Sequence, residues 1–330
     1  MSLPLRLVQT GPVLILALVV LVMSGLSPYF LTERNITNLG FQTSIVAVLA
    51  LGQLMVIITR GVDLSVGAVV AFGGIVGGIA AGAVVGGSAS SHGGLAILVM
   101  VACGAGVGLA NAAVMLGGRI MNPFIVTLGM LSIVRGAALV LSDAETATGM
   151  PPAVQTMGTG LIGPVPVPTV LVAALALVAW IMLTRTQWGR WIYAVGGDPE
   201  AARRVGIPVN RVLLSVYVLC GIGAGVAAVL VAGRTNASSA IAGQLLELDS
   251  ITAVVIGGAS FFGGRGSVFN VIAGALIIGV IRNGLNLLDV TPFWQSIAIG
   301  LLVIASLEID VLRGRLEDRL RVAQARGAES

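Results

Sequence analysis

Long apolar stretches, each long enough to be a membrane helix, alternate with short polar segments along most of the chain. A membrane-spanning helix needs about 20 apolar residues, and fewer where the helix is broken. Ten stretches meet this requirement: 11–30, 41–58, 64–86, 95–116, 123–141, 168–184, 212–232, 249–263, 268–286 and 292–312. The eighth is short, which indicates a broken or re-entrant element. The pattern predicts an all-α integral membrane protein of about ten helices, some of them broken.

One polar interruption reads as a piece of soluble helix. It is "GGDPEAARRVGIP", residues 196–208, between two apolar runs. Asp198 can cap a helix start, Pro199 suits the first helical position and Glu200 favours the positive end of the helix dipole. Gly206 can close the helix and Pro208 prevents its continuation. The segment predicts about two helical turns, which need a surface to dock on because so short a helix is marginal alone. That surface is either the bilayer or a soluble partner.

The composition agrees with a membrane protein and sets its orientation. The 330 residues are 57% hydrophobic and 10% charged, and the mean hydropathy is +1.03, whereas soluble domains carry about 25% charged residues. With the N-terminus in the cytoplasm, the inner segments would hold Arg6, Arg60, Arg119, Arg185, Arg190, Arg203, Arg204, Arg211, Arg265, Arg313, Arg315, Arg319, Arg321 and Arg326. The outer segments would hold Arg34 and Arg234, and the long outer loop 142–167 has no arginine. This asymmetry predicts cytoplasmic termini.

The same analysis divides the chain into a single transmembrane domain and a tail. The domain covers residues 1–312, with a cytoplasmic loop at 185–211, and a charged cytoplasmic tail covers 313–330. The first apolar run is longer than the core of a signal peptide and lacks a clear cleavage site, so we interpret it as an uncleaved span.

Several kinds of chemistry find no support in the sequence. All eighteen basic residues are arginine, so no lysine can complete a nucleotide-binding P-loop or form a Schiff base. The single histidine, His92, lies in a loop, and Cys103 and Cys220 lie within apolar runs, where cysteine behaves as a small hydrophobic residue. No catalytic or metal site is predicted. The net charge of +4 comes from loop arginines and is a topology signal, so no nucleic-acid partner is predicted.

Polar residues inside or beside the apolar runs are the candidates for a translocation pathway, because ionisable groups at membrane depth are expensive and usually functional. The candidates are Asp63, Ser65, Asn122, Arg135, Glu247, Asp249, Asn283 and Asn286. Asp63 can instead cap a helix start through Ser65. Arg135 must find a carboxylate, helix carbonyls or water. Asn283 and Asn286 are three residues apart and share a helix face, where amides can bind sugar hydroxyls or join helices.

These segments resemble a known family. The blocks are "GVDLSVGAVVAF", "NPFIVTLGMLSIVRG", "GRWIYAVGGDPEAARRVGI", "ELDSITAVVIGGASFFGGRGS" and "RNGLNLL", in order from about residue 35 to 310. They are similar to the membrane permeases of bacterial ABC-type sugar importers, the ribose, xylose, arabinose and galactose group. The chain departs from the family at Arg60, where a small residue is usual, and in "SDAETATGMPPAV", which lacks the expected glycine-rich form.

The resemblance implies a transport subunit in the bacterial cytoplasmic membrane. It implies a second permease chain, identical or closely related, a cytoplasmic ABC ATPase that binds ATP and Mg, and a periplasmic or lipid-anchored sugar-binding protein. The chain itself would bind no cofactor. The segment similar to the family's ATPase-docking loop consists of Asp198, Glu200, Ala201, Ala202, Arg203, Arg204 and Gly206.

Three functional alternatives follow. The first is a permease of an ATP-driven importer for a monosaccharide, or for a polyol, a furanose-like signal or a nucleoside; branched-chain amino acids are more distant. The second is an ion-coupled secondary transporter, which requires carboxylates inside the membrane; most acidic residues here lie at span ends. The third, an intramembrane enzyme, has no catalytic constellation to support it.

Overall fold

The computed structural model describes residues 3–82, 92–118, 122–305 and 308, and their fold is built mainly from helices. The helices are α1 Leu3–Leu26, α2 Glu33–Ile58, α3 Val66–Ala80, α4 Gly93–Gly117, α5 Pro123–Leu141, α6 Pro152–Thr159, α7 Val167–Arg185, α8 Gln187–Gly197, α9 Pro199–Arg204, α10 Val209–Thr235, α11 Leu246–Ile256, α12 Val268–Leu287 and α13 Pro292–Ala305. Four two-residue strands, β1 Ala147–Thr148, β2 Leu161–Ile162, β3 Val165–Pro166 and β4 Ala237–Ser238, form the antiparallel pairs β1–β4 and β2–β3.

The described helices are long and apolar enough for a polytopic membrane protein. Six of them, α2, α4, α5, α7, α10 and α12, have the length and composition to cross a bilayer, and three shorter apolar helices accompany them at Gly11–Leu26, Val66–Ala80 and Pro292–Ala305. The prediction of an all-α membrane protein is confirmed at this level. The tail at 313–330, the end of the tenth predicted span and residues 83–86 of the third lie outside the described residues.

Two of the predicted spans are much shorter than the bilayer is thick. Helix α3 has 15 residues and α11 has 11, which correspond to about 22 Å and 16 Å against a hydrocarbon core of about 30 Å. The predicted eighth span, 249–263, is therefore wrong in its bounds: α11 begins earlier and ends at Ile256. Glycine explains the end, because Gly258 and Gly263 have φ of +82° and +83°, which a helix does not allow.

The core forms around α2 and α10, which pack against each other and against most of the other helices. Helix α2 is buried along nearly its whole length from Thr43 onward. Helix α10 packs most extensively on α4, and the two backbones meet at Gly104 and Gly221, where a Cβ on either residue would overlap the other's carbonyl oxygen. Such close approach between small residues is how membrane helices gain packing energy.

The arginines distinguish the two ends of the helix bundle. We call the end that holds α8, α9 and the turns 59–65 and 257–267 the arginine-rich end. It carries Arg60, Arg185, Arg190, Arg203, Arg204, Arg211 and Arg265. The opposite end holds α6, the two strand pairs and the α1–α2 and α12–α13 connections. The long predicted loop 142–167 is thus an ordered part of the opposite end.

Candidate functional site

The short polar helix predicted at the arginine-rich end is present as α9. Asp198 caps it, and its Oδ1 accepts hydrogen bonds from the backbone amides of Glu200 and Ala201 at 2.9 and 3.0 Å. Pro199 occupies the first helical position, and Gly206 has a φ of +85°, so the chain leaves the helix in a left-handed conformation. The sequence predicts the cap, the first proline and the terminating glycine of this helix.

Electrostatics strengthen this cap. Asp198 is fully exposed, and the amides of Ala201 and Glu200 hold the pKa of its carboxyl below the usual range. The carboxylate is therefore charged at neutral pH, as a helix N-terminus prefers.

Helix α9 presents a polar and an apolar feature to solvent. Ala202 is buried beneath it, whereas Glu200 and Arg203 are exposed and joined by an ion pair of 3.0 Å. Val205, directly after α9, is 77% exposed and adds apolar area to this surface. This exposed surface, residues 200–205, is hereafter the docking surface.

Helix α8 connects the docking surface to the membrane helices. Its apolar face is buried through Ile192 and Val195. On its other sides, Trp188 Nε1 donates to Ser215 Oγ of α10 at 2.8 Å, and Tyr193 Oη donates to the carbonyl oxygen of Gly266 at 2.9 Å. Helices α8 and α9 are thus held between α10 and the turn that precedes α12.

The end of α8 also fits tightly against the end of α2. Arg60, which has a φ of +66°, donates from Nε to the carbonyl oxygen of Gly196 at 2.7 Å and from Nη2 to that of Gly197. A Cβ on Gly196 would overlap the carbonyl oxygen of Ile58, and Gly264 N donates to that same oxygen at 2.8 Å. We call this meeting of residues 58–60, 196–197 and 263–264 the glycine junction. Arg60, which is unusual for the family at this position, thus stabilises the junction by hydrogen bonds.

Asp63 and Ser65 lie just beyond that junction and act together as a cap. Asp63 is buried, and its Oδ1 accepts from Ser65 N at 2.9 Å and from Ser65 Oγ at 2.6 Å, at the start of α3. Asn111 Nδ2 from α4 donates to Ser65 Oγ at 2.9 Å and approaches the carboxylate at 3.3 Å. In this conformation Asp63 stabilises a buried turn, and Asn111, which sequence reasoning had not selected, completes it.

A non-helical segment, residues 239–245, precedes α11 and runs antiparallel to α3. Gly74 of α3 lies beside Ser238, and Gly67 lies beside Gly243 and Glu247, in positions where a Cβ would clash. Unwound backbone at membrane depth needs partners for its polar groups. Arg135 of α5 supplies them, because its Nη1 donates to the carbonyl oxygens of Ala240 at 2.6 Å and Ala242 at 2.9 Å.

Glu247 lies at the end of this segment, in the first turn of α11. It is 8% exposed, and its Oε2 has no hydrogen-bond partner in the described part of the chain. Arg135 attracts it electrostatically. Arg135 thus serves both the carbonyls of the unwound segment and the charge of a buried carboxylate.

A polar cavity of about 350 Å³ lies towards the opposite end, among α2, α10, α11, α12 and α13. Its polar lining consists of Gln42, Arg234, Gln244, Asp249, Arg282, Asn286 and Gln295. Both carboxylate oxygens of Asp249, which is buried, lie 2.8 Å from Arg282 Nη2. Gln295 Nε2 donates to Asn286 Oδ1 at 2.7 Å. The cavity brings two predicted pathway residues together with five that were not predicted as such.

The remaining predicted residues do not line this cavity. Asn283 has a different partner from Asn286: it forms a reciprocal amide pair with Asn35 of α2, at 2.8 and 2.9 Å, and joins α12 to α2. Asn122 caps α5, where its Oδ1 accepts from Phe124 N at 3.1 Å. The eight predicted residues therefore fall into three groups. One group caps helices or joins them, the second is the Arg135–Glu247 pair, and the third lines the cavity.

Comparison with known proteins places the chain among permeases. A family model described as branched-chain amino acid transport system / permease component matches residues 35–307. The D-allose transport system permease protein AlsC of Escherichia coli is 38% identical over 308 residues, which cover 92% of this chain and 91% of that protein. The ribose import permease protein RbsC of Bacillus subtilis is 37% identical over 92% of each chain, and the fructose import permease protein FrcC of Rhizobium meliloti is 36% identical over 85% and 79%. No solved structure gives a significant match.

Proposed function

We propose a function from one premise, which is that this chain belongs to the branched-chain amino acid transport system / permease component family. The relatives that cover nearly all of it import allose, ribose and fructose by name. The chain is the multi-pass membrane permease of an ABC-type importer in the bacterial inner membrane, and its cargo is a monosaccharide. The likeness to sugar permeases over 92% of the chain is the observation that carries this conclusion.

We further propose that the arginine-rich end faces the cytoplasm and that the docking surface receives the ATPase. The positive-inside rule sets the orientation. A capped helix that presents Glu200, Arg203 and the apolar Val205 to solvent offers both charge and apolar area to a soluble protein. ATP and Mg would bind on that partner, and this chain would act as a transport subunit.

The other proposed partners follow from the same family. A second permease chain, the same or a close relative, would complete the membrane pathway. A periplasmic or lipid-anchored binding protein would deliver the sugar to the opposite end. Lipid would surround the exposed apolar faces of α1, α5 and α7, which carry Leu21, Ile133 and Leu177.

For the route of the sugar, we propose the unwound segment 239–245 and the polar cavity beside it. Unwound backbone exposes carbonyl groups that a helix would occupy, and transporters place such breaks where polar substrates pass. Arg135, Glu247 and Asp249 lie along this route. The remaining candidates would act indirectly, because they cap or join the helices that surround this route. They are Asp63, Ser65, Asn122 and Asn283.

The first test is to purify the tagged chain from its native membranes in mild detergent and to identify what remains bound. We expect a soluble ATPase in stoichiometric amount. Val205→Asp, which puts a charge into the apolar part of the docking surface, should reduce the retained ATPase at least about tenfold, since a buried unpaired charge costs several kcal/mol. The control is Arg211→Gln, which changes a cytoplasmic charge outside the docking surface. Val178→Asp would not serve, because Val178 faces lipid.

The same experiment separates the importer from an ion-coupled transporter. Uptake that continues when an uncoupler collapses the proton gradient but ATP is maintained supports the importer. Uptake that stops under those conditions, with no ATPase retained in several detergents, would contradict it and would direct attention to Asp63, Glu247 and Asp249 as ion sites.

A second prediction concerns the cap of α9. Asp198→Ala removes the acceptor for two backbone amides and should loosen α9 and weaken ATPase retention, whereas Asp198→Asn keeps an acceptor oxygen and should retain most of it. Because the folded-state pKa is lowered, the stabilisation by the carboxylate is present above its ordinary pKa and is lost as pH falls through the lowered value. Protonated Asp198 still has an acceptor oxygen, as Asn does, so as pH falls through the lowered pKa the retention by the wild type should fall only to the level of Asp198→Asn and stay above that of Asp198→Ala.

A further inference from the structure

A second cavity, of about 560 Å³, lies at the opposite end of the helix bundle, where the chain passes from α1 to α2. Its lining comes from the α1–α2 connection, the beginning of α2 and the end of α12. We propose that this cavity, hereafter the Arg34 cavity, binds the phosphate group of an anionic phospholipid. The inference goes beyond the proposed function, because it concerns the bilayer and depends on neither the cargo nor the ATPase.

The Arg34 cavity holds a positive charge that has no counter-ion. Among the described residues, Arg34 is the only charged side chain in the lining, and it forms no hydrogen bond or ion pair. The acidic residues nearest to the lining in the sequence are Glu33 and Asp289, and neither is part of it. An unpaired guanidinium binds carboxylate or phosphate oxygens by charge-assisted hydrogen bonds, so the charge of this cavity favours an anion.

The uncharged polar groups beside Arg34 can also donate. Arg234 Nη2 donates to Asn38 Oδ1 at 2.8 Å, and this contact fixes the orientation of the amide because a guanidinium has no acceptor. Asn38 Nδ2 is then left with two N–H groups and no acceptor in the described part of the chain, where the hydroxyls of Tyr29 and Thr37 also form no hydrogen bond. The charged oxygens of a phosphate group only accept, so they match these free donors.

The start of α2 adds to the positive character of the cavity. Thr32, at the N-cap, makes no side-chain hydrogen bond to the helix, and its Oγ1 donates to the carbonyl oxygen of Tyr29 at 2.7 Å instead. The first amides of α2 therefore lack the side-chain acceptor that a capping residue gives, and the helix dipole favours a negative charge beside them. Glu33 lies in this first turn, but it is exposed and outside the lining.

One wall of the cavity is fixed by contacts that are complete without a ligand. Asn35, which is buried in this wall, forms the reciprocal amide pair with Asn283 and also donates to the carbonyl oxygen of Phe30 at 2.8 Å. These bonds hold α2 against α12 and against the α1–α2 connection. A lining that is rigid before binding lowers the entropy lost when a ligand is held.

The surroundings of the cavity favour a lipid over a soluble anion. Phe41 and Leu287 make part of the lining apolar, which suits the glycerol and the first acyl carbons of a phospholipid. Tyr29 is 66% exposed, and Leu26 and Leu31, close to it in the chain, are 56% and 61% exposed. Tyrosine is enriched where the bilayer meets water, and basic pockets between membrane helices bind lipid head groups.

The test is native mass spectrometry of the full-length chain in detergent, which resolves individual bound lipids. The probes are dioleoylphosphatidylglycerol, which is anionic, dioleoylphosphatidylcholine, which has the same phosphodiester but no net charge, and inorganic phosphate. We expect the first phosphatidylglycerol to bind at least about tenfold more tightly than phosphatidylcholine. Arg34→Gln should weaken this first binding about tenfold, because hydrogen bonds to a charged group are lost, and it should fold normally because Arg34 is exposed.

Two control variants separate the cavity from a general attraction between a basic protein and anionic lipid. Arg211→Gln removes an arginine at the arginine-rich end, and Glu33→Gln removes the carboxylate next to Arg34 in the sequence. Neither change should weaken the first phosphatidylglycerol. Equal binding of the two lipids by the wild type, or wild-type affinity in Arg34→Gln, overturns the proposal.

The remaining outcomes distinguish the other sources of an anionic group. Displacement of phosphatidylglycerol by millimolar inorganic phosphate would show a site for free phosphate and overturn the lipid assignment. An Arg34→Gln variant that keeps its lipid but loses sugar uptake would assign the cavity to an acidic group of a protein partner and overturn it as well. A wild-type chain that binds the lipid as expected but retains no ATPase contradicts the proposed function and leaves the lipid site established.

Discussion

Replacing Gly196 with alanine is expected to abolish uptake, while the same replacement at the neighbouring Gly197 is tolerated. The two residues are adjacent in α8, yet a Cβ on Gly196 would overlap the carbonyl oxygen of Ile58 and lie 2.6 Å from Gly264 N, whereas a Cβ on Gly197 meets nothing within 4 Å. The pair is therefore a matched test of the glycine junction.

The junction matters because of what it connects. On one side are α8 and the docking surface; on the other are the end of α2, the turn that leads to Asp63 and the turn before α12. The atoms that a Cβ on Gly196 would meet, Ile58 O and Gly264 N, belong to the backbone, which cannot rotate away as a side chain can. A methyl group there must push α8 away from α2, and movement imposed on the docking surface would no longer be transmitted to the membrane helices.

The measurement combines ATPase retention, ATPase activity and sugar uptake. We expect Gly196→Ala to insert in the membrane and to reduce uptake at least about tenfold, with ATP hydrolysis no longer linked to transport; an overpacked buried contact of this kind costs about 1–3 kcal/mol. Gly197→Ala should match the wild type in all three. Equal uptake by the two variants would contradict a coupling role for the junction.

Arg60 contributes to the glycine junction through its side chain. The sequence marks Arg60 only as an unusual residue, and its role depends on the carbonyls of Gly196 and Gly197, which are about 136 residues away in the chain. No local pattern specifies that contact.

Features set by neighbouring residues were predictable, and those set by distant ones were not. Helix α9 was predicted with its cap, its first proline and its terminating glycine because each signal acts within a few residues. A short or broken eighth span was predicted from the length of its apolar run, but the bounds of 249–263 were wrong, since α11 is Leu246–Ile256. The polar cavity could not be predicted, because Gln42, Gln244 and Gln295 come from three distant segments. In the sequence, a glutamine that lines a cavity cannot be distinguished from one that joins two helices.

Arg135 shows the same limit within the membrane. Its position in a span predicts that it needs acceptors, but backbone carbonyls carry no sequence signature. The partners proved to be Ala240 and Ala242, two small apolar residues whose side chains give no indication of this role. The polar character of the segment lies in its unwound backbone.

Arg135→Leu is therefore expected to destabilise the protein and to abolish uptake. The change leaves the carbonyls of Ala240 and Ala242 without a donor in the unwound segment, at a cost of about 1–3 kcal/mol, and removes the positive charge that attracts Glu247. Thermal unfolding in detergent should occur several degrees lower. Ser132→Ala is the control: Ser132 is one turn away on α5, and among the described residues its Oγ donates only to Leu128 O.

A double variant separates the two roles of Arg135. If its main role is to neutralise Glu247, then Glu247→Gln added to Arg135→Leu should restore both stability and uptake. If its main role is to satisfy the carbonyls, the second change restores little, because those oxygens remain without donors. We expect the second outcome, since Arg135 donates directly to both carbonyls, whereas Glu247 Oε2 has no hydrogen-bond partner among the described residues. Arg135→Leu with wild-type stability and uptake would exclude both roles and remove the unwound segment from the proposed route.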